Sequence, residues 1–127
     1  MIEAGARGQA QAKVDEAMTA QAVGSGELRV LATPKLAALV EEAAWRSVSP
    51  QLDEGQTTVG THLDLDHLAP TAVGMTLTCT TELVSVDRRR LVFSFEAADG
   101  AGTVAKGSHE RFVVDAQKFQ AKADARA

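Results

Sequence analysis

The sequence predicts an α+β protein in which one long helix lies against an antiparallel sheet of about five strands. A nearly all-apolar helical stretch runs from Leu31 to Ser49, and alternating segments joined by short turns fill the chain from Val59 to Val114. The helix comes before these strands and no helix interrupts them, an order that favours strand neighbours pairing as hairpins over parallel crossover units.

Length and composition bound the rest. A chain of 127 residues is long enough for one domain with a real core, here expected over 13–127, with 1–12 as a flexible start rich in Ala, Gly and Gln. Apolar residues make up 45% and charged residues 24%, which excludes both a disordered chain and a membrane span. The net charge of −4 gives no basic field for nucleic acid, and the one dense basic cluster, Arg88-Arg89-Arg90, falls in a turn. Cys79, alone, has no disulfide partner and no metal-spaced companion, and the start lacks the apolar run of a signal peptide. A reducing cytoplasm is the expected compartment.

Taken in order, Val14 to Ala22 alternates weakly and is expected to form the first strand, ended by Gly24-Ser25-Gly26. Thr33-Pro34 then reads as an N-cap followed by a first-turn proline, so the helix is expected to begin at Pro34 and to stop at Pro50. On this helix Lys35, Glu42, Arg46 and Ser49 share an arc of roughly 60°, the solvent stripe. Leu36, Leu39, Val40 and Ala43 form a buried face, widened by Ala37, Ala38, Ala44, Trp45 and Val48. One sheet cannot cover so wide an apolar surface, so a homodimer is expected, with Trp45 largely buried and Glu42 and Arg46 exposed.

The strands follow. Val59, Thr61, Leu63, Leu65 and His67 fall on one face of the next segment, opposite Gly60, His62, Asp64 and Asp66. Met75 to Val86 is a threonine-rich strand, Leu91 to Ala97 alternates again after a turn at Asp87-Arg88-Arg89, and the last strand spans about Thr103 to Val114. The tail after Asp115 reads as a short helix that docks by Phe119.

Polar residues out of place mark a candidate site. Glu41 points about 120° from the solvent stripe, among Ala37, Ala44, Trp45 and Val48. It either pairs with a buried donor to fix the helix or is an acid whose ionisation burial has tuned. His67 closes an apolar face, as a satisfied core residue or as a proton acceptor. Thr33 is a cap or a reacting group, while His62 and His109 carry no comparable signal. His62 and His67, five apart on a strand, point to opposite faces, which rejects a metal site.

Together LATPKLAALVEEAA, TTVGTHLDLDHLAPTAVGM and GSHERFVVD resemble the hot-dog-fold thioesterases of the fluoroacetyl-CoA type. The resemblance implies a long central helix wrapped by an antiparallel sheet, a dimer, and hydrolysis of acyl-CoA to free acid and CoA at the subunit interface. No cofactor is implied beyond the coenzyme A of the substrate, and no membrane partner. It also implies catalytic roles for Thr33, Glu41 and His67, and it places Gly60 at the glycine whose backbone approaches substrate. The fluoroacetyl-specific enzyme carries an extra aromatic-bearing lid before its threonine, whereas Ala22 to Val30 contains no aromatic residue, so strict fluoroacetyl specificity is not expected.

For acyl transfer from sulfur, His67 would be the base. Glu41 would steady the imidazolium or activate water, and Thr33 would attack or donate a hydrogen bond. The N–H groups following Thr33 are expected to serve as an oxyanion site. Two other classes use the same residues differently: a hot-dog acyl-CoA hydratase or dehydratase, and a non-catalytic acyl-CoA-binding dimer.

Overall fold

The computed structural model describes residues 2–127. Five strands, β1 (Arg7–Lys13), β2 (Gln56–His67), β3 (Thr76–Asp87), β4 (Arg90–Asp99) and β5 (Gly102–Asp115), form one antiparallel sheet in the order β1-β3-β4-β5-β2. Helices α1 (Ala20–Val23), α2 (Thr33–Val48) and α3 (Ala116–Asp124) complete the chain. This is the expected hot-dog arrangement, with α2 as the central helix against one sheet face.

Leu36, Val40, Ala44 and Val48 repeat every four residues along α2 and are fully buried. The first two pack with Val14, Leu31, Leu77, Cys79, Phe95 and Ala97, and the last two with Leu83, Leu91, Phe93 and Val113. The stripe therefore bridges two halves of one core. Ser49–Gln51 continues the helix as a 3-10 turn around Pro50, whose ring cannot extend the α-helical bonding.

The start of the chain corrects the sequence reading. Residues 7–13 are not loose, because β1 pairs along its whole length with Thr76 to Glu82. Its small residues are there for closeness: a Cβ at Gly8 would lie 2.2 Å from the Ala43 carbonyl oxygen and 2.8 Å from Ser47 Cβ. The expected strand at Val14 to Ala22 is instead a 3-10 turn at Glu16–Met18 and the short α1. Asp15 Oδ1 accepts from Ala17 N, Thr19 Oγ1 accepts from Ala22 N, and Gly24 closes α1 in the left-handed conformation. Local caps outweigh a weak period of two.

A second correction lies in β2. Between Gly60 and His62 the register with β5 slips by one residue, a bulge that opposes Gly60 to Arg111 and His62 to Glu110. Alternation therefore changes phase. Thr58 and Gly60 face α2 before the bulge, and Leu63, Leu65 and His67 face inward after it. Gly60 thus shares the face of His67 instead of opposing it.

Two expectations about packing also change. Trp45 remains 41% exposed, with the Arg46 guanidinium 5.1 Å above its ring, because the sheet covers only one side of α2. Glu42 is half-buried beside Arg46, at 3.2 Å, while Arg46 is exposed as expected. Helix α3 does not dock: Phe119 is 44% exposed, and the helix is held at its start, where Asp115 Oδ1 accepts from Lys118 N.

The close approach at Gly8 sets a test. Gly8→Ala forces a methyl group into the helix backbone, and it should cost about 1–3 kcal/mol, read as a lowered urea midpoint at unchanged slope. An unchanged midpoint would show that β1 is free to move away from α2.

Candidate active site

The helix start is fixed by its neighbours. Leu31 and Ala32 are buried, Leu31 N donates to Thr71 O, and Ala32 N donates to Met18 O. Thr33 then opens α2, but it is not the cap. Ala32 occupies that position without any side-chain cap bond, and Thr33 Oγ1 lies instead 2.7 Å from His67 Nδ1. His67 ends β2, and the chain beyond it is tied down by Leu68 N and Ala69 N, both donating to Val104 O. Its Nε2 is buried and finds no hydrogen-bond partner among the described residues. Beside the pair is a hollow of about 220 Å³ with apolar walls from Val30, Leu31, Leu68, Ala69 and Pro70.

The expected oxyanion donors are not free. Pro34 has no N–H, and Lys35 N and Leu36 N both donate to Ala32 O. The first turn of α2 therefore keeps its donors within the helix, and charge developing on a substrate oxygen needs donors from elsewhere.

A second cluster surrounds Glu41. Its side chain is 43% exposed, not sealed among alanines, and Oε2 lies 3.5 Å from Arg111 Nη1. Arg111 is buried, and its Nε donates to Thr58 Oγ1 at 2.8 Å and its Nη2 to the Thr58 carbonyl at 3.0 Å. Burial lowers the pKa of its guanidinium, and the Glu41 carboxylate works against that shift. His109, also buried, lies 3.1 Å from Arg111 Nη1 through Nε2 and 2.8 Å from the His62 carbonyl through Nδ1.

Gly60 touches all three side chains. A Cβ there would sit 2.7 Å from Glu41 Oε2 and 3.3 Å from both Arg111 Nη1 and His109 Cε1. The carboxylate and its cation therefore lie directly beneath an exposed glycine backbone. Of the two readings of Glu41, the structure shows pairing with a buried donor, and His109 and Arg111 are the residues the sequence left unmarked. Strand alternation from buried Val113 back through Arg111 to His109 was the available signal.

The chain brings Thr33 to His67 and Glu41 to Gly60, but not the four together. Eight residues of helix separate Thr33 from Glu41 by about 12 Å, and seven residues of strand separate Gly60 from His67 by roughly 20 Å. Among the described residues no group of three or more His, Cys, Asp or Glu is placed to hold a metal ion.

Residues 14–117 match the family described as fluoroacetyl-CoA-specific thioesterase, FlK. The chain belongs to this family. It is 41% identical over 93 residues to a fluoroacetyl-CoA thioesterase of Streptantibioticus cattleyicolor, covering 73% of this chain and 67% of that protein. A solved structure of the fluoroacetyl-CoA thioesterase FlK superposes with a TM-score of 0.93 at 32% identity, covering 100% of this chain and 98% of that one. A threonine-to-serine variant of FlK in complex with acetyl-CoA gives 0.94 at 31% identity, covering 99% of each chain. Membership brings hot-dog acyl-CoA thioesterase activity. Near-complete mutual coverage also corrects one expectation: the difference before Thr33 is one of side chains, not of an extra segment in the relative.

Loss of the Thr33 hydroxyl removes no cap bond. Thr33→Ala should therefore change unfolding free energy by no more than about 0.5 kcal/mol, against the roughly 1 kcal/mol expected of a lost cap. Chemical denaturation of the two proteins separates these values.

Proposed function

We propose that the protein hydrolyses a short acyl-CoA at a composite site in a homodimer, each site combining Thr33 and His67 of one subunit with Glu41 and Gly60 of the other. The observation that carries this reading is the 2.7 Å contact between Thr33 Oγ1 and His67 Nδ1 at an exposed threonine. A base at hydrogen-bond distance is what a hydroxyl needs to attack a thioester carbonyl. His67 takes the proton from Oγ1 as the acyl–oxygen bond forms, and returns it to the departing CoA sulfur as the acyl–sulfur bond breaks. Water, deprotonated by the same imidazole, then releases the free acid and restores the hydroxyl. Glu41 supplies negative charge to the imidazolium, and the Gly60 backbone leaves room for the acyl group beside it.

Geometry supports the dimer. β2 is an edge strand of 12 residues with its outer backbone groups unpaired in the sheet, and Trp45 is part-exposed on the uncovered side of α2. Two-fold antiparallel pairing about Leu63 and Asp64 sets Gly60 of the partner subunit opposite His67, closing the separation that one chain leaves open. The hydratase and binding-only readings lack a comparable observation. No helix is long and apolar enough to cross a membrane, and the reducing cytoplasm is the proposed compartment.

Subunit mixing tests the composite site. Thr33→Ala and Glu41→Gln subunits, each nearly inactive alone, should regain about a quarter of wild-type turnover when co-expressed, since half of a random dimer population has one intact site of two. No recovery in proven heterodimers would place Thr33 and Glu41 of one chain in the same site.

Fluoroacetyl-CoA is the substrate to try first, since the family and its relatives are described by it. Residues 21–29 are all exposed and contain no aromatic ring to cover the acyl group. Contacts of single-atom size discriminate by only about 1–3 kcal/mol, so acetyl-CoA and fluoroacetyl-CoA in one reaction should be consumed with a preference of at most about two hundredfold. Release of CoA thiol reports the activity, and a preference of several orders of magnitude would place the selectivity outside this segment.

A further inference from the structure

We infer that His109 is a positioning residue for this site, holding Arg111, and through it Glu41, only while its imidazole is neutral; the catalytic half of the inference rests on the thioesterase reading above. Two hydrogen bonds fix the state of the ring. A backbone carbonyl only accepts, so His109 Nδ1 carries a proton and donates it to His62 O at 2.8 Å. A guanidinium only donates, so Arg111 Nη1 gives a proton to Nε2 at 3.1 Å, and Nε2 must be a bare lone pair. Both contacts are met by one neutral tautomer and by no other state.

Arg111 has little freedom to choose another pose. Its Nε and Nη2 are committed to Thr58, which leaves Nη1 as the nitrogen shared between His109 and Glu41. A second proton on His109 would set two donors against each other across 3.1 Å. The guanidinium would have to tilt, losing its Thr58 bonds or its place beside the carboxylate beneath Gly60.

The surroundings keep that proton off at neutral pH. Charged groups acting on His109 are Arg111 and Glu110 on its own strand and Glu41 on α2, while β2 offers the His62 carbonyl and β4 the stacked Phe93 ring, 6.2 Å away. Burial is the largest influence and pushes the His109 pKa below its ordinary value, with Arg111 acting in the same sense and the two carboxylates against it. Since the folded value lies below the unfolded one, the unfolded chain takes the proton first. The native arrangement is thus fully favoured above about pH 6.5 and weakens as pH falls through the folded value.

The test compares wild type, His109→Gln and His109→Leu by pH–rate profiles on acetyl-CoA, with NMR of the His109 ring and the Arg111 Nε–H group. His109→Leu removes the acceptor and should lower kcat by roughly 10- to 100-fold with KM changed less than about threefold. His109→Gln presents an amide oxygen that cannot be protonated, and it should restore kcat to within about threefold at pH 7.5 while removing one proton from the acid limb. In wild type the Arg111 resonance should move together with the His109 ring titration. A folded His109→Leu enzyme with wild-type kcat and acid limb overturns the inference, as does an Arg111 resonance that stays fixed while His109 titrates. Should the leucine variant fail to fold, the glutamine variant and the wild-type titration decide the same question. Wild-type protein that hydrolyses no acyl-CoA but shows the coupled resonances would sink the thioesterase reading and leave the His109–Arg111 coupling standing.

Discussion

The structure depends on burying one stripe of α2. Leu36, Val40, Ala44 and Val48 lose all solvent exposure against the sheet, at about 1.5–3 kcal/mol for each of the larger side chains. That contact fixes the rotation of the helix about its own axis, and every polar group on it inherits a direction. Thr33 at the first turn is carried to the end of β2, and Glu41 two turns later is carried over the middle of β2, where Arg111 from β5 meets it. Close approach at Gly8 sets the helix depth on the other side of the sheet. A helix rolled by one position would bury Glu41 and expose Val40 or Ala44, losing both the core and the site.

The second constraint is the bulge in β2. With strict alternation Gly60 and His67, seven apart, would lie on opposite faces, and no single surface of the strand would carry both. One extra residue between Gly60 and His62 puts them on the same inner face. That same bulge places the His62 carbonyl where His109 Nδ1 donates to it. A local irregularity of the ladder therefore does two jobs, setting the face of a strand and the tautomer of a buried histidine.

Fold order, the buried helix stripe and the three residues Thr33, Glu41 and His67 were legible because each rests on strong local signals: periodicity, a Thr-Pro pair, a carboxylate off the solvent stripe. What was not legible depended on partners distant in the chain. β1 is nearly free of branched residues, and only its pairing with β3 and its contact with Ala43 explain Gly8. Thr33 looked like a cap because sequence shows neighbours in the chain and not His67, 34 positions away. Arg111 and His109 looked like ordinary strand residues, since nothing local says that a cation will be enclosed and need Thr58, His109 and Glu41 around it.

The enclosed cation also explains why Glu41 is not a free acid. Removing either member of a buried or half-buried ion pair leaves the other with uncompensated charge, so Glu41 and Arg111 are retained together. Glu41 keeps part of its carboxylate in solvent, where charge from a neighbouring subunit can still feel it. At the other end of α2, Thr33 and His67 form a proton-transfer pair with no acid beside it, and His67 Nε2 lacks a partner. An imidazole that accepts the Thr33 proton on Nδ1 keeps its other proton on Nε2, and the cation so formed calls for a negative group nearby. The two clusters are complementary in charge and chemistry, and each lies along the same unpaired strand edge. A two-fold axis through the middle of β2 satisfies both at once, so the requirement that turns an edge strand into an interface is also the one that completes the catalytic set.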